Sequence, residues 1–212
     1  MTNPASMCDY DFQLPHLDIK GFVVDYFSFR IEKDRLEWHE RPELPYGVQP
    51  EHKVMRRLAS IFERRHTVEL DGFANELLED EHLSFARYCD ILEEFGRVEN
   101  EEARGMSYGR LVGIIAFGGV VAARMMQHNL RKEVQQIFLY TSRFVDARIR
   151  LTWPTERKSW KLFMTVAADI IQRDDKSLME ESNFSRRRWS IVIGAALVGI
   201  GAIIGTKTLM SK

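Results

Sequence analysis

The chain is poor in the residues that staple or interrupt small folds: two cysteines, Cys8 and Cys89, and six prolines in 212 residues. Cysteines so far apart, outside any CxxC spacing, give neither a disulfide framework nor a zinc site, and fit a reducing compartment. An excess of one charge is missing too, since 30 Lys and Arg stand against 31 Asp and Glu. That balance offers no electrostatic reason to expect nucleic acid as a partner. Catalytic signatures are also lacking. There is no HExxH, GxSxG or GxxxxGK, and Gly109, Gly113, Gly118 and Gly119 do not have the GxGxxG spacing. His52 and His66 come nearest to a metal pair, but no carboxylate accompanies them at helical spacing, so both read as solvated surface. Asp174, Asp175, Glu180 and Glu181 lie in a charged run where solvation is the expected state. A binding module without metal or cofactor is expected, not an enzyme.

Strand-like alternation is hard to find, and apolar residues recur three and four apart, which predicts an all-α fold. Residues 1–16 carry Asp9 and Asp11 and no basic start before an apolar run, so they read as a flexible lead and not as a secretory signal. Asp18 suits the cap of a first helix whose face is Ile19, Phe22, Val23, Tyr26 and Phe27, running through to Ile31. Pro50 suits the first turn of a second, basic helix with Val54, Leu58, Ile61 and Phe62 as its stripe. Shorter patterns follow, Phe73 with Leu77, then Phe85, Tyr88, Leu92 and Phe95 behind a Ser84 cap. Leu130–Arg150 and Trp153–Ile171 supply two more amphipathic helices. With a central helix they make about seven, spanning residues 17–172.

Two apolar runs stand out. Between Met106 and Gln127, the 13 residues from Leu111 to Ala123 are uncharged, too short to span a bilayer comfortably, and are expected to form the buried centre of the bundle. Glycine in a helix interior costs about 1 kcal/mol relative to alanine. Gly118 and Gly119 therefore imply close packing of a neighbouring helix, whereas Gly109, beside Tyr108 and Arg110, begins the helix where access remains. The second run, Trp189 to Thr206, is uncharged for 18 residues and flanked by Arg186, Arg187 and Arg188 and by Lys207 and Lys212. At ~27 Å of helix it reads as a transmembrane tail anchor at 189–206, joined by a solvated linker at 173–188. A short span with basic flanks is expected at the mitochondrial outer membrane, with endoplasmic reticulum or nuclear envelope as alternatives.

Ser107-Tyr108-Gly109-Arg110-Leu111-Val112-Gly113, continuing to Phe117-Gly118-Gly119, resembles the first homology region of the Bcl-2 family of apoptosis regulators. Trp153, Ser159, Trp160 and Phe163 resemble the second region, Val54 to Arg64 the third, and Phe22 to Ile31 the fourth. GFVVDYF at 21–27, GVQPEH at 47–52 and MSYGRLVG at 106–113 are most similar to the nematode, death-suppressing branch. The likeness runs from Leu17 to the C-terminus. It departs at Pro154-Thr155-Glu156-Arg157-Lys158, where most relatives carry a Gly-Gly pair before the tryptophan. It departs again at Met55, Ala59 and Ser60, where the family's death ligands place Leu, Gly and Asp.

The resemblance implies a Bcl-2-like helical bundle whose groove accepts an amphipathic third-region helix from a pro-apoptotic protein. Phe73, Leu77, Phe85, Tyr88, Leu92, Val112 and Phe117 would line its pockets. Tyr108, Gly109 and Gly113 would complete the groove, with Arg110 pairing to the ligand's aspartate. In the nematode branch it further implies a second client, the apoptosome adaptor ATPase that activates a caspase, released when the groove fills. Asp25, Arg148 and Arg150 match that adaptor-facing surface; solvated charge is the alternative reading of each. Without an aspartate at position 60 a survival role is favoured. The rivals are a pore-forming killer of the same fold and an unrelated tail-anchored scaffold.

Overall fold

The computed structural model describes residues 17–78, 83–96 and 105–179, and every regular element among them is helical. In chain order these are α1 (Ile19–Lys33), α2 (Pro50–Arg65), α3 (Thr67–Leu77), α4 (Phe85–Gly96), α5 (Tyr108–Gln127), α6 (Arg131–Thr152) and α7 (Trp160–Met179). The flexible lead at 1–16, the end of the expected linker and the anchor at 189–206 lie outside the described residues.

The starts of the helices follow from their capping residues. The Asp18 carboxylate accepts the Lys20 amide at 3.3 Å and opens α1. Pro50 stands in the first turn of α2, where its missing N–H is not needed. The Ser107 hydroxyl accepts the Arg110 amide at 3.1 Å and opens α5. Every residue of α5 from Leu111 to Ala123 is buried, as an uncharged helix requires. It is long and apolar enough to cross a membrane, but 83% of the qualifying window is enclosed by the other helices. Helices α1, α2, α3, α4 and α6 all pack directly on it.

The glycines of α5 admit α1. A Cβ at Gly118 would lie 2.6 Å from Phe27 Cζ, and one at Gly119 would lie 2.6 Å from Tyr26 Cε1. Both rings are fully buried, so α1 seats its aromatic residues against bare backbone. This is the close packing that the paired glycines imply.

Ion pairs hold α2 in place from both sides. Toward α1, Arg56 donates to both oxygens of Asp25 at 2.7 and 2.6 Å. Glu63 accepts from Tyr26 at 3.0 Å and Arg30 at 2.8 Å. Burial, with Glu63 beside it, raises the Tyr26 phenol well above its ordinary range, so it donates a proton here and does not lose it. Toward α7, Arg64 and Arg65 both reach Asp174, at 2.6 and 3.2 Å, and Arg57 pairs with Asp175.

Three expectations are corrected by this arrangement. The stretch from Arg173 is not solvated linker at its start, because α7 continues to Met179 and Asp174 is only 2% exposed beneath the α2 arginines. Trp153 does not begin the last helix; it ends α6 and is fully buried, and a turn separates it from α7. His52 is not surface. It is 2% exposed, its ring meets the Phe22 ring edge-on at 5.0 Å, and Nδ1 accepts the Gln49 amide at 3.2 Å. His66 is half-buried against Phe62, and that burial lowers its pKa.

Candidate functional site

The first turn of α5 emerges from the bundle between α2 and the turn that joins α6 to α7. Met106, just before it, is bound from both directions: its amide donates to Thr152 Oγ1 at 3.0 Å, and its carbonyl accepts Trp153 Nε1 at 2.9 Å. Tyr108 closes the same junction. Its hydroxyl donates to the Ser159 carbonyl at 3.1 Å and lies 3.2 Å from the Ser159 amide, and its ring stands edge-on to Trp153 and Phe163, each at 5.4 Å. The residues that resemble the first and second homology regions thus form one rigid corner.

Arg110 lies at the edge of this corner. Tyr108, Gly109 and Arg110 are half-exposed, whereas everything from Leu111 inward is buried. The Arg110 guanidinium donates to the Gly105 carbonyl at 3.0 Å. Burial lowers its pKa from the usual guanidinium range, and the negative charge of Glu156 opposes the shift. It stays charged at neutral pH. A half-desolvated arginine beside an accessible glycine can form a strong charge-assisted bond to an incoming carboxylate.

The residues expected to line a groove beside Arg110 separate into two layers. Phe73 and Phe85 reach the surface, Phe85 at 36% exposure. Leu77, Tyr88, Leu92 and Phe117 are at most 1% exposed and belong to the core, and Val112 and Gly113 are buried too. The physical reason is aromatic packing. Tyr88 stacks on Phe117 at 5.7 Å, Phe95 leans on Phe117 at 5.9 Å, and the Tyr88 hydroxyl shares a 2.6 Å hydrogen bond with Thr141 of α6. Over Gly113, a Cβ would meet Phe62 at 3.1 Å and Phe95 at 3.6 Å. Phe62 of α2 and Phe95 of α4, neither expected as groove residues, therefore converge over Gly113. Their place in the two aromatic stripes was legible in the sequence; their meeting over Gly113 was not. Among the described residues, no group of His, Cys, Asp and Glu could hold a metal ion.

The residues expected to face an adaptor are not equivalent. Arg150 is exposed and pairs with Asp146 at 2.8 Å on its own helix. Arg148 lies over the Phe144 ring and reaches Glu93 of α4 at 2.7 Å. Asp25 is neither solvated nor presented: it is 2% exposed and fully engaged by Arg56. At that place the surface shows the partly exposed Arg56.

A family model described as "Apoptosis regulator proteins, Bcl-2 family" matches residues 55–160, from the middle of α2 to the start of α7. Apoptosis regulator ced-9 of Caenorhabditis elegans is 40% identical over 200 residues, which cover 92% of this chain and 70% of that protein. The chain belongs to the Bcl-2 family. Caenorhabditis briggsae ced-9 is likewise 40% identical, over 192 residues covering 90% of this chain and 71% of the relative. Canine Bcl-2 is 23% identical over 157 residues, covering 74% and 62%.

Among solved structures, C. elegans CED-9 aligns with a TM-score of 0.72 at 42% identity, covering 79% of this chain and 99% of that one. A CED-9/EGL-1 complex aligns with a TM-score of 0.73 at 43% identity, covering 77% and 98%. This Bcl-2 family member is a CED-9-like, anti-apoptotic regulator and not an enzyme. The unrelated scaffold is thereby set aside.

Proposed function

We propose that the chain restrains cell death through two surfaces of one bundle. The groove takes the amphipathic third-region helix of a pro-apoptotic protein, with Arg110 pairing to its aspartate and Gly109 giving it room. Phe73 and Phe85 offer the first apolar contacts. Leu77, Tyr88, Leu92, Val112, Gly113 and Phe117 become lining once Phe62 and Phe95 swing aside. The observation that carries this reading is the half-exposed Tyr108-Gly109-Arg110 turn on an otherwise buried helix. The likeness to a chain solved together with EGL-1 supports it.

The second surface holds the caspase-activating adaptor ATPase, through Arg148 and Arg150 and, at position 25, through the Asp25–Arg56 pair. Arg148 supports a link between the two surfaces because its carboxylate partner, Glu93, is on α4. A helix that displaces α4 disturbs that pair, so the groove and the adaptor surface report on one another. The run at 189–206 anchors the chain in the mitochondrial outer membrane.

The test is to load the full chain with adaptor ATPase in lipid nanodiscs and add a labelled third-region helix. Helix binding should release the adaptor, and Arg110→Glu should prevent release without preventing loading. Adaptor that stays bound after the groove has filled would contradict the coupling. Leakage of dye from liposomes on adding the chain would favour the pore-forming reading, against which α2 stands locked by Asp25, Glu63 and Asp174.

A further inference from the structure

We propose that Glu156 is a built-in acid that competes with the ligand helix's aspartate for Arg110 and thereby sets the affinity and acid selectivity of the groove. This rests on the groove reading above. Glu156 lies in the turn Trp153–Arg157 that joins α6 to α7. The turn is pinned against the entrance to α5 by the Met106 bonds to Thr152 and Trp153.

Gly105 is the meeting point. Its carbonyl accepts from Arg110 at 3.0 Å, and the Glu156 carboxylate lies so close to its Cα that a Cβ there would coincide with it. Cation and anion thus converge on one glycine. Lys158 pairs with the same carboxylate and also reaches the Met106 carbonyl at 3.4 Å, and Arg110 stands on the other side of Gly105, near enough to feel the Glu156 charge. Its side chain is 27% exposed, in a half-desolvated place where charges act over short range with little screening. An arriving carboxylate therefore meets an arginine already compensated in part, and a like charge beside it.

The experiment titrates the full chain with two labelled amphipathic helices, identical except that one bears aspartate and the other asparagine at the arginine-facing position. Glu156→Gln should tighten binding of the aspartate helix about three- to tenfold at low salt and leave the asparagine helix within about twofold. On an Arg110→Ala background the same substitution should have no effect. Lys158→Gln, which frees Glu156 for Arg110, should weaken the aspartate helix about two- to fivefold, so a second variant reads the proposal in the opposite direction.

Weaker binding of the aspartate helix to Glu156→Gln would overturn the proposal, because Glu156 would then be holding Arg110 in its working position. Equal gains for both helices would also overturn it, as they would report relief of crowding. Failure of the unchanged protein to bind either helix would be a distinct result: it removes the groove reading and this proposal together.

Discussion

Where α1 covers α5, the contact is ring against backbone at Gly118 and Gly119, and α2 is fastened alongside by carboxylates that are almost fully buried. On the other side, α4 meets α5 through aromatic contacts, α3 adds one partly exposed ion pair, Asp71 with Arg124, and the first turn of α5 is half-exposed. The same residue type serves both. Glycines at 118 and 119 remove Cβ atoms so that the core can close, whereas Gly109 leaves backbone reachable beside a cation. The back of the bundle is thus a frame, and the front is the surface where we propose that a partner helix enters. Substitutions should separate accordingly, with stability lost at the back and binding lost at the front.

The largest effect is expected at the frame. Asp174→Ala leaves Arg64 and Arg65 without their buried carboxylate and should cost about 3 kcal/mol, the low end for breaking a buried pair, because both arginines are partly exposed. Urea unfolding would measure it, and the folded protein should still bind helix within about twofold. Arg110→Glu should do the reverse. Helix affinity should fall about a hundredfold, roughly 2.7 kcal/mol, with stability within about 0.5 kcal/mol of the unchanged chain. Fluorescence anisotropy and a melting curve report the two sides.

Gly118→Ala should come next. The added methyl overlaps Phe27 and should destabilise by about 1–2 kcal/mol after the gain in helix propensity, again without changing helix affinity. Arg150→Ala should be smallest. An exposed i,i+4 pair contributes less than about 0.5 kcal/mol, so unfolding should not register it while adaptor capture does.

The helices themselves were readable because burial writes a 3.6-residue period into the sequence, and α5 was readable because it is apolar all round. Asp18 and Pro50 marked their starts by local capping chemistry, whereas the Ser107 cap of α5 emerges only in the structure. Other features depend on partners far along the chain. Asp25 is buried because Arg56 arrives from the next helix, and Asp174 because arginines more than 100 positions earlier fold over it. A charged run has no local mark that distinguishes a solvated carboxylate from one that several guanidinium groups will cover. His52 misled in the same way, since its neighbour Phe22 belongs to α1.

At the proposed groove, the apolar stripes were legible but their depth was not. Tyr88, Leu92 and Phe117 carry the spacing of a lining stripe, and the same spacing describes a core stripe. The hydrogen bond from Tyr88 to Thr141 and the meeting of Phe62 with Phe95 over Gly113 decide between them, and both are tertiary. Burial raises the Tyr88 phenol pKa, which keeps it a neutral partner to Thr141.

The division between frame and groove is tested most directly by titrating one labelled, aspartate-bearing helix into the full chain and its Gly109→Glu, Arg110→Glu and Gly118→Ala forms, each checked for helix content. The account predicts that the first two lose affinity at unchanged stability, while Gly118→Ala loses stability and keeps affinity. Equal loss of affinity in all three, or no binding by the unchanged chain, would contradict it.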